Sequence, residues 1–205
     1  MNGKLISFEG IDGAGKSTHL MWLADWLQTH GIKLHVTREP GGTALGESLR
    51  SLLLHQEMDP ITETLLMFAV RTEHWHQVII PRIQANEWVL SDRFVDASYA
   101  YQGGGRGVSV ACLNFLHQWT IEGYLPDLTI LFDISPQVAA QRVRVNNSNP
   151  DRFEQERETF FEKVRQSYRQ RVEQDPARFI VVDGQQSLSE IQRFLQKTIQ
   201  QRFGL

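Results

Sequence analysis

Residues 4–18, KLISFEGIDGAGKST, join a short apolar segment to a glycine-rich loop. Within them, residues 10–17 fill the pattern G-x-x-x-x-G-K-[ST], whose glycines let successive backbone N–H groups surround phosphate oxygens. A helix is expected from Lys16 to about Thr29, with Gly31 placed to end it, and its N-terminal dipole would favour the same anion. The sequence therefore predicts a nucleotide-phosphate site between the first strand and the first helix.

The phosphate loop supplies all of the candidate ATP contacts. They are Gly10, Ile11, Asp12, Gly13, Ala14, Gly15, Lys16, Ser17 and Thr18. Lys16 would place a positive charge at the β- and γ-phosphates, and the Ser17 hydroxyl would bind Mg²⁺. Asp92, at the end of the third predicted strand, would put a carboxylate near the same metal. ATP and Mg²⁺ are therefore the expected co-substrate and cofactor, although many NTPases and kinases share the motif.

Five short runs rich in aliphatic and β-branched residues alternate with helical patterns along the chain. The runs are residues 4–9, 34–39, 87–92, 128–133 and 178–183, and each ends in a carboxylate. Nearly continuous apolar runs are typical of parallel strands that are buried on both faces. The pattern predicts an α/β fold with a doubly wound, five-stranded parallel sheet whose ligands bind at the carboxyl ends of the strands.

Length and composition limit the remaining possibilities. The chain has 205 residues, 41% hydrophobic and 22% charged, which predicts one domain over residues 1–205. The net charge of -3 argues against a nucleic-acid partner, since such proteins carry a basic excess. The N-terminal apolar stretch is only as long as a strand, so a cytoplasmic protein without membrane association is expected.

Two arginine-bearing segments follow predicted strands and could hold a second anion. Residues 38–43, REPGGT, come after the second strand, with Arg50 further along the chain. Residues 91–94, SDRF, end the third strand and place Arg93 where its guanidinium could bridge two phosphates.

Six motifs together resemble bacterial thymidylate kinases over nearly the whole chain. They are FEGIDGAGKST at 8–18, TREPGGT at 37–43, DRF at 92–94, AYQG at 100–103, PDL at 126–128 and DRFE at 151–154. The resemblance implies the P-loop NTPase fold of nucleoside monophosphate kinases. It also implies transfer of a phosphoryl group from Mg·ATP to dTMP, giving dTDP and ADP in dTTP biosynthesis, by a homodimer.

The same resemblance implies roles for residues on the acceptor side. Arg50 and Arg93 would hold the phosphate of dTMP, and Asp12 would accept a hydrogen bond from the 3′-hydroxyl. Arg71 would hydrogen-bond the base. The family carries a stacking aromatic residue four positions before that arginine, where this chain has Met67 followed by Phe68, so either side chain could cover thymine.

Four further residues correspond to acceptor contacts in the family. They are Glu39, Ser98, Tyr101 and Gln102. Tyr101 would crowd the 2′ position and so disfavour ribonucleotides.

A mobile lid is expected because the phosphate loop lacks a basic residue of its own. Some thymidylate kinases carry a basic residue inside the loop, whereas this one has none at residues 11–14. The polar, proline-containing segment 145–151 has the composition of a flexible lid and is flanked by Arg142, Arg144 and Arg152, which gives a lid at about 142–153. Arg144 and Arg152 are the expected lid contributors to catalysis, together with Lys16 and Arg93, and such an arginine is worth about 10³–10⁵ in rate in related phosphoryl transfers.

Two other functions stay open at this stage. A kinase for a different nucleoside monophosphate or a deoxynucleoside would share the phosphate loop, and Arg71 and Gln102 are the residues that discriminate against it. A switch that hydrolyses ATP or GTP without an acceptor is the other. After Asp133 the chain reads ISPQ, which offers no guanine-reading Asn-Lys-x-Asp sequence.

Overall fold

The computed structural model describes residues 3–146 and 151–205, with the side chains of residues 144–146 outside the description. Its strands form one parallel sheet in the order β2-β3-β1-β4-β5. They are β1 (Leu5–Glu9), β2 (Leu34–Arg38), β3 (Trp88–Asp92), β4 (Leu128–Asp133) and β5 (Phe179–Asp183). The predicted five-stranded parallel sheet is confirmed, and each predicted run matches its strand to within one residue at either end.

Helices connect the strands. They are α1 (Lys16–Thr29), α2 (Ala44–His55), α3 (Pro60–His74), α4 (Ile80–Gln84), α5 (Val95–Ser98), α6 (Val110–Ile121), α7 (Pro136–Asn146), α8 (Glu158–Gln174) and α9 (Leu188–Phe203), with π-helical turns at Trp75–Ile79 and Tyr99–Gly105. The predicted bounds of α1 are confirmed. Ser187 and Glu190 form a capping box at the start of α9, satisfying N–H groups that have no partner within the helix.

The two faces of the sheet are covered by different helices, as the apolar runs predicted. Ile6 belongs to a buried cluster with Leu23 of α1 and Leu195 of α9. Its neighbour Leu5 points to the opposite face and belongs to a cluster with Phe68 of α3. Since successive strand side chains point to opposite faces, this alternation places helices on both sides of β1.

The central position of β1 brings two functional loops together. β1 pairs with β3 on one side and β4 on the other, and Phe8 is in register with Asp92. The backbone N–H of Arg93 donates to the Phe8 carbonyl at 2.9 Å. The loops that follow β1 and β3 therefore meet at the carboxyl edge of the sheet, where doubly wound folds bind ligands.

Across the described part of the chain, no helix combines the length and the apolar character needed to cross a membrane.

Candidate active site

The phosphate loop joins β1 to α1 in a conformation that requires glycine. Gly13 has a φ of +82°, and a Cβ there would lie 2.5 Å from the carbonyl oxygen of Ala139. Lys16 is 5% exposed and folds back over the loop, where its Nζ donates to the carbonyls of Gly10 and Ile11 at 3.0 and 3.1 Å. Burial and the nearby Arg93 lower the pKa of Lys16. The loop thus combines a buried cation with a helix N-terminus, which suits a phosphate group.

Ser17 and Asp92 form an oxygen pair beside the loop. The Ser17 hydroxyl donates to Oδ2 of Asp92 at 3.1 Å. The other carboxylate oxygen, Oδ1, is buried and has no hydrogen-bond partner among the described residues. A hydroxyl next to an unpaired carboxylate oxygen is the donor chemistry that Mg²⁺ prefers, with water and phosphate completing its shell.

Arg93 lies between the phosphate loop and the rest of the site. Its φ of +69° is unusual for a residue with a side chain. The guanidinium donates to Asp12 at 2.7 Å, to the Gly10 carbonyl at 3.0 Å and to the hydroxyls of Tyr101 and Tyr168 at 3.0 and 3.3 Å. It is therefore fixed in place before any ligand arrives.

Asp12 stays ionised in this arrangement. Burial alone would raise its pKa, but Arg93 and Lys16 outweigh that effect and hold the pKa at about 2. At neutral pH the Asp12 carboxylate is therefore a hydrogen-bond acceptor.

Arg71 forms a second prearranged guanidinium site, on α3. It is 2% exposed and donates through Nε to Glu39 at 2.7 Å, and to the Ser98 hydroxyl and the Phe94 carbonyl at 2.9 and 3.1 Å. His74 also bonds Glu39, at 3.1 Å. Burial would raise the pKa of Glu39, but Arg71 and His74 lower it below its usual value.

One cavity of about 470 Å³ connects these groups. Fifteen of the predicted site residues line it. They are Asp12, Gly13, Gly15, Lys16, Ser17, Thr18, Glu39, Arg50, Met67, Arg71, Asp92, Arg93, Ser98, Tyr101 and Gln102. The volume is in the range of small-molecule sites. A phosphate-binding end and a buried polar end thus share one cavity.

Comparison with known proteins accounts for this combination. Residues 8–195 match the family model described as thymidylate kinase. The thymidylate kinase of Nitrosomonas eutropha is 54% identical over 200 residues, covering 97% of this chain and 93% of that protein. The chain belongs to the thymidylate kinase family. A second relative, from Paraburkholderia xenovorans, is 51% identical over 96% of this chain and 97% of that protein.

A solved structure of the same family agrees with the fold. The crystal structure of the Ehrlichia chaffeensis thymidylate kinase matches with a TM-score of 0.79 and 30% identity, covering 98% of this chain and 100% of that one. This likeness confirms the P-loop fold class predicted from the sequence.

Within this thymidylate kinase family fold, the structure separates Met67 from Phe68. Met67 is partly buried and lines the cavity. Phe68 is 1% exposed and belongs to the core, with its ring 4.9 Å from the Arg71 guanidinium. The suggestion that Phe68 covers the ligand is therefore corrected. Successive helical positions point about 100° apart, so Phe68 supports Arg71 from the core while Met67 faces the cavity.

Three residues of the phosphate loop contribute backbone alone. Ile11 and Ala14 are 3% and 1% exposed and pack into the core, and Gly10 offers its carbonyl to Lys16 and Arg93. None of the three lines the cavity, so their expected contact with ATP through the loop backbone stays a prediction.

The expected lid arginines are placed differently from one another. Arg152 does not line the cavity; it donates to the Leu53 carbonyl at 2.9 and 3.2 Å and to Glu63 at 2.8 Å. The Arg144 side chain lies outside the described residues, as do residues 147–150 of the predicted lid. Arg142 lines the cavity and donates to the carbonyls of Gly13 and Gly184 at 3.4 and 2.9 Å.

The sequence reasoning missed Glu63, a carboxylate with no exposed surface. It accepts hydrogen bonds from Gln102, Arg106 and Arg152. Phe153, which lines the cavity and packs edge-on against Tyr101, was missed too. One available signal was the spacing of Glu63, Met67 and Arg71, which repeats every four residues and so marks one face of α3.

Proposed function

We propose that this chain transfers the γ-phosphoryl group of ATP to dTMP, producing ADP and dTDP for dTTP biosynthesis. The observation that carries the proposal is the shared cavity, which Lys16, Arg93 and Arg71 all line. Arg93 bonds the phosphate loop beside Lys16, and the residue after it, Phe94, accepts from Arg71, so Arg93 lies between the other two. Membership of the thymidylate kinase family identifies the acceptor chemistry that these ends serve.

The donor end suits a magnesium-bound triphosphate. The backbone of residues 10–17 and the N-terminus of α1 would surround the phosphates, with Lys16 as the fixed charge. Ser17 and Asp92 would hold Mg²⁺, which would neutralise charge on the phosphate oxygens. The unpaired buried Oδ1 of Asp92 supports this assignment.

The middle of the cavity suits the phosphate and sugar of the acceptor. Arg93 can exchange part of its contact with Asp12 for a bidentate contact with a phosphate, and Arg50, held by the Pro40 carbonyl at 2.7 Å, lines the same space. The ionised Asp12 can then accept from a sugar hydroxyl. Phosphoryl transfer between bound phosphates needs no protein nucleophile, so positioning and charge account for catalysis.

The far end suits an oxygen-bearing pyrimidine. A guanidinium has five N–H donors, and three contacts of Arg71 are to protein groups. The remaining donors can meet a base carbonyl. Met67 would cover the ring with its thioether, and Tyr101 would lie against the sugar.

The lid belongs to this proposal as well. We expect the segment at about 142–153, within a single kinase domain of residues 1–205, to close over ATP. Arg142 is supported by its place beside Gly13, whereas Arg144 and Arg152 stay predictions. Arg152 would first have to leave Glu63. Arg152→Ala is expected to slow the rate by more than tenfold, and a rate within a few-fold of wild type would remove Arg152 from catalysis.

A homodimer is also proposed, supported by an apolar face on α6. Val110, Phe115 and Trp119 are 60%, 64% and 70% exposed, and the last two rings stack 6.0 Å apart. Exposed aromatic groups of this size are typical of interfaces. Light scattering should show a dimer for the wild-type chain and a monomer for Trp119→Glu. A wild-type monomer at micromolar concentration contradicts this part of the proposal.

The decisive experiment measures ADP release from Mg·ATP against a panel of acceptors. The panel contains dTMP, dUMP, dCMP, AMP, GMP, thymidine and no acceptor. We expect strong stimulation by dTMP that Lys16→Ala abolishes, with Lys33→Ala, a change on the exposed surface, as the matched control. Equal ADP release without acceptor would instead support the slow ATPase or switch.

A further inference from the structure

Glu63 is a buried carboxylate whose two oxygens serve different partners. Its Oε2 accepts from Arg152 at 2.8 Å and from Arg106 at 3.2 Å. Its Oε1 accepts from Nε2 of Gln102 at 2.9 Å, with the Arg106 Nε further away at 3.4 Å. The arginines therefore anchor one oxygen, and the other is left mainly for the Gln102 amide.

This contact determines how the Gln102 amide is oriented. An ionised carboxylate only accepts hydrogen bonds, so Gln102 must turn its NH₂ group toward Glu63. Gln102 is 1% exposed and lines the cavity, so its side chain is held between Glu63 and the ligand space. Because the amide oxygen and nitrogen diverge from one carbon, the oxygen is the group left to face a ligand.

We propose that Glu63 is a positioning residue that selects the base through Gln102, an inference that rests on the proposed function. A thymine ring carries a hydrogen on N3, which can donate to the Gln102 oxygen. A cytosine ring carries a lone pair on N3 and an amino group at position 4, so it meets an acceptor at Gln102 and donors at Arg71. The acceptor at Gln102 exists because Glu63 fixes the amide.

The hydrogen bonds of Glu63 predict a specific effect of replacing it with the neutral side chain of glutamine. Glu63→Gln keeps the shape of residue 63, but an amide can pair with Gln102 in either orientation. The Gln102 NH₂ group could then face the cavity and donate to N3 of cytosine. Discrimination between the two bases would fall, whereas the phosphate-binding end would be unchanged.

The test is the ratio of kcat/KM for dTMP to kcat/KM for dCMP, measured on one preparation so that the active fraction cancels. We expect Glu63→Gln to lower this ratio by about tenfold or more, the usual effect of one misdirected buried polar contact. Glu156→Gln is the matched control, because Glu156 also accepts from Arg106, whereas the Gln102 amide donates to Glu63. Its ratio should stay within about twofold of wild type.

A double variant distinguishes an effect on the orientation of the Gln102 amide from a general loosening of the site. If Glu63 acts through the amide, Glu63→Gln should cause no further change in the ratio when Gln102 is already alanine. A change that persists undiminished in that background overturns the proposal, as does an unchanged ratio in Glu63→Gln.

Glu63→Asp provides a second variant should Glu63→Gln fold poorly, because it keeps the charge that Arg106 and Arg152 require. It shortens the reach toward Gln102 and should lower the ratio by several fold; an unchanged ratio there also overturns the proposal. A wild-type enzyme that ignores dTMP would instead refute the proposed function, so the two failures are distinguishable.

Discussion

Asp96 is a buried carboxylate that connects α5 with α8 and the start of β5. It lies on α5 with no exposed surface. Arg178, next to β5, donates to it at 2.6 and 3.2 Å, and Arg171 of α8 donates at 2.9 Å. Asp96→Asn would keep the shape of the side chain but leave two guanidinium groups around a neutral amide.

The loss of stability expected for Asp96→Asn depends on how little water reaches the two arginines. The side chain of Arg171 is 17% exposed and that of Arg178 is 7% exposed, so solvent can replace little of the lost charge interaction. Removing one member of a buried ion pair costs about 3–5 kcal/mol. At about 2–4 °C per kcal/mol for a chain of this size, the Tm should fall by roughly 6–20 °C.

Urea unfolding at pH 7, followed by circular dichroism, measures this change directly. Asp133→Asn is the matched control, since Asp133 also bonds two arginines but one of them, Arg169, is 55% exposed. The control should lose about 1 kcal/mol or less. Equal losses in the two variants would refute the reasoning that burial sets the cost.

The stability contributed by Asp96 and its two arginines depends on pH in a defined direction. Burial would raise the pKa of Asp96, but Arg178 and Arg171 lower it below the usual 3.8. The stabilisation is therefore present above about pH 4 and is lost as the pH falls through the lowered value. Asp96→Asn should lose less stability than wild type over that acid range.

Three further predictions concern Glu9, Met67 and Gly42. Burial and Asp96 raise the pKa of Glu9 to about 8 from 4.5, so the folded state holds a proton that the unfolded state has released, and stability falls as pH rises between those values. Glu9→Gln should flatten that slope in urea unfolding at pH 5 and pH 8, and an unchanged slope would contradict it. Met67→Phe should lower KM for dTMP by about 2–10-fold at similar kcat, because an aromatic ring adds stacking energy; a raised KM would place Met67 away from the base. Gly42→Ala should destabilise the fold more than Gly107→Ala, because both have positive φ but a Cβ at Gly42 would lie 2.4 Å from His74, whereas nothing lies within 4 Å at Gly107.

The sheet and the phosphate end could be predicted because their signals are local. The apolar runs gave each strand to within one residue, and the loop between β1 and α1 is contiguous in sequence. Lys16 reaches carbonyls only five and six residues away. A short motif therefore carries nearly all of the geometry needed at that end.

The acceptor end was less predictable because it is assembled from distant residues. Arg71 bonds groups 23, 27 and 32 residues away, and Arg152 bonds Glu63 across 89 residues. A charged residue on an amphipathic helix is usually exposed, so the spacing of Glu63 with Met67 and Arg71 indicates a shared helix face but not that Glu63 is buried. The placement of Phe68 in the core likewise depends on which face of α3 meets the sheet.

The phosphate end depends on contacts between residues close in sequence and the acceptor end on contacts between distant residues, so the choice of acceptor is controlled separately from ATP binding. Every contact that orients the Arg71 guanidinium or the Gln102 amide comes from a residue outside the phosphate loop, and two of them, Glu63 and Glu39, have almost no exposed surface. Because unpaired buried polar groups are costly, these carboxylates restrict which donors and acceptors face the ligand. Changes at Glu63 or Glu39 are therefore expected to alter acceptor choice while ATP binding at the loop is retained.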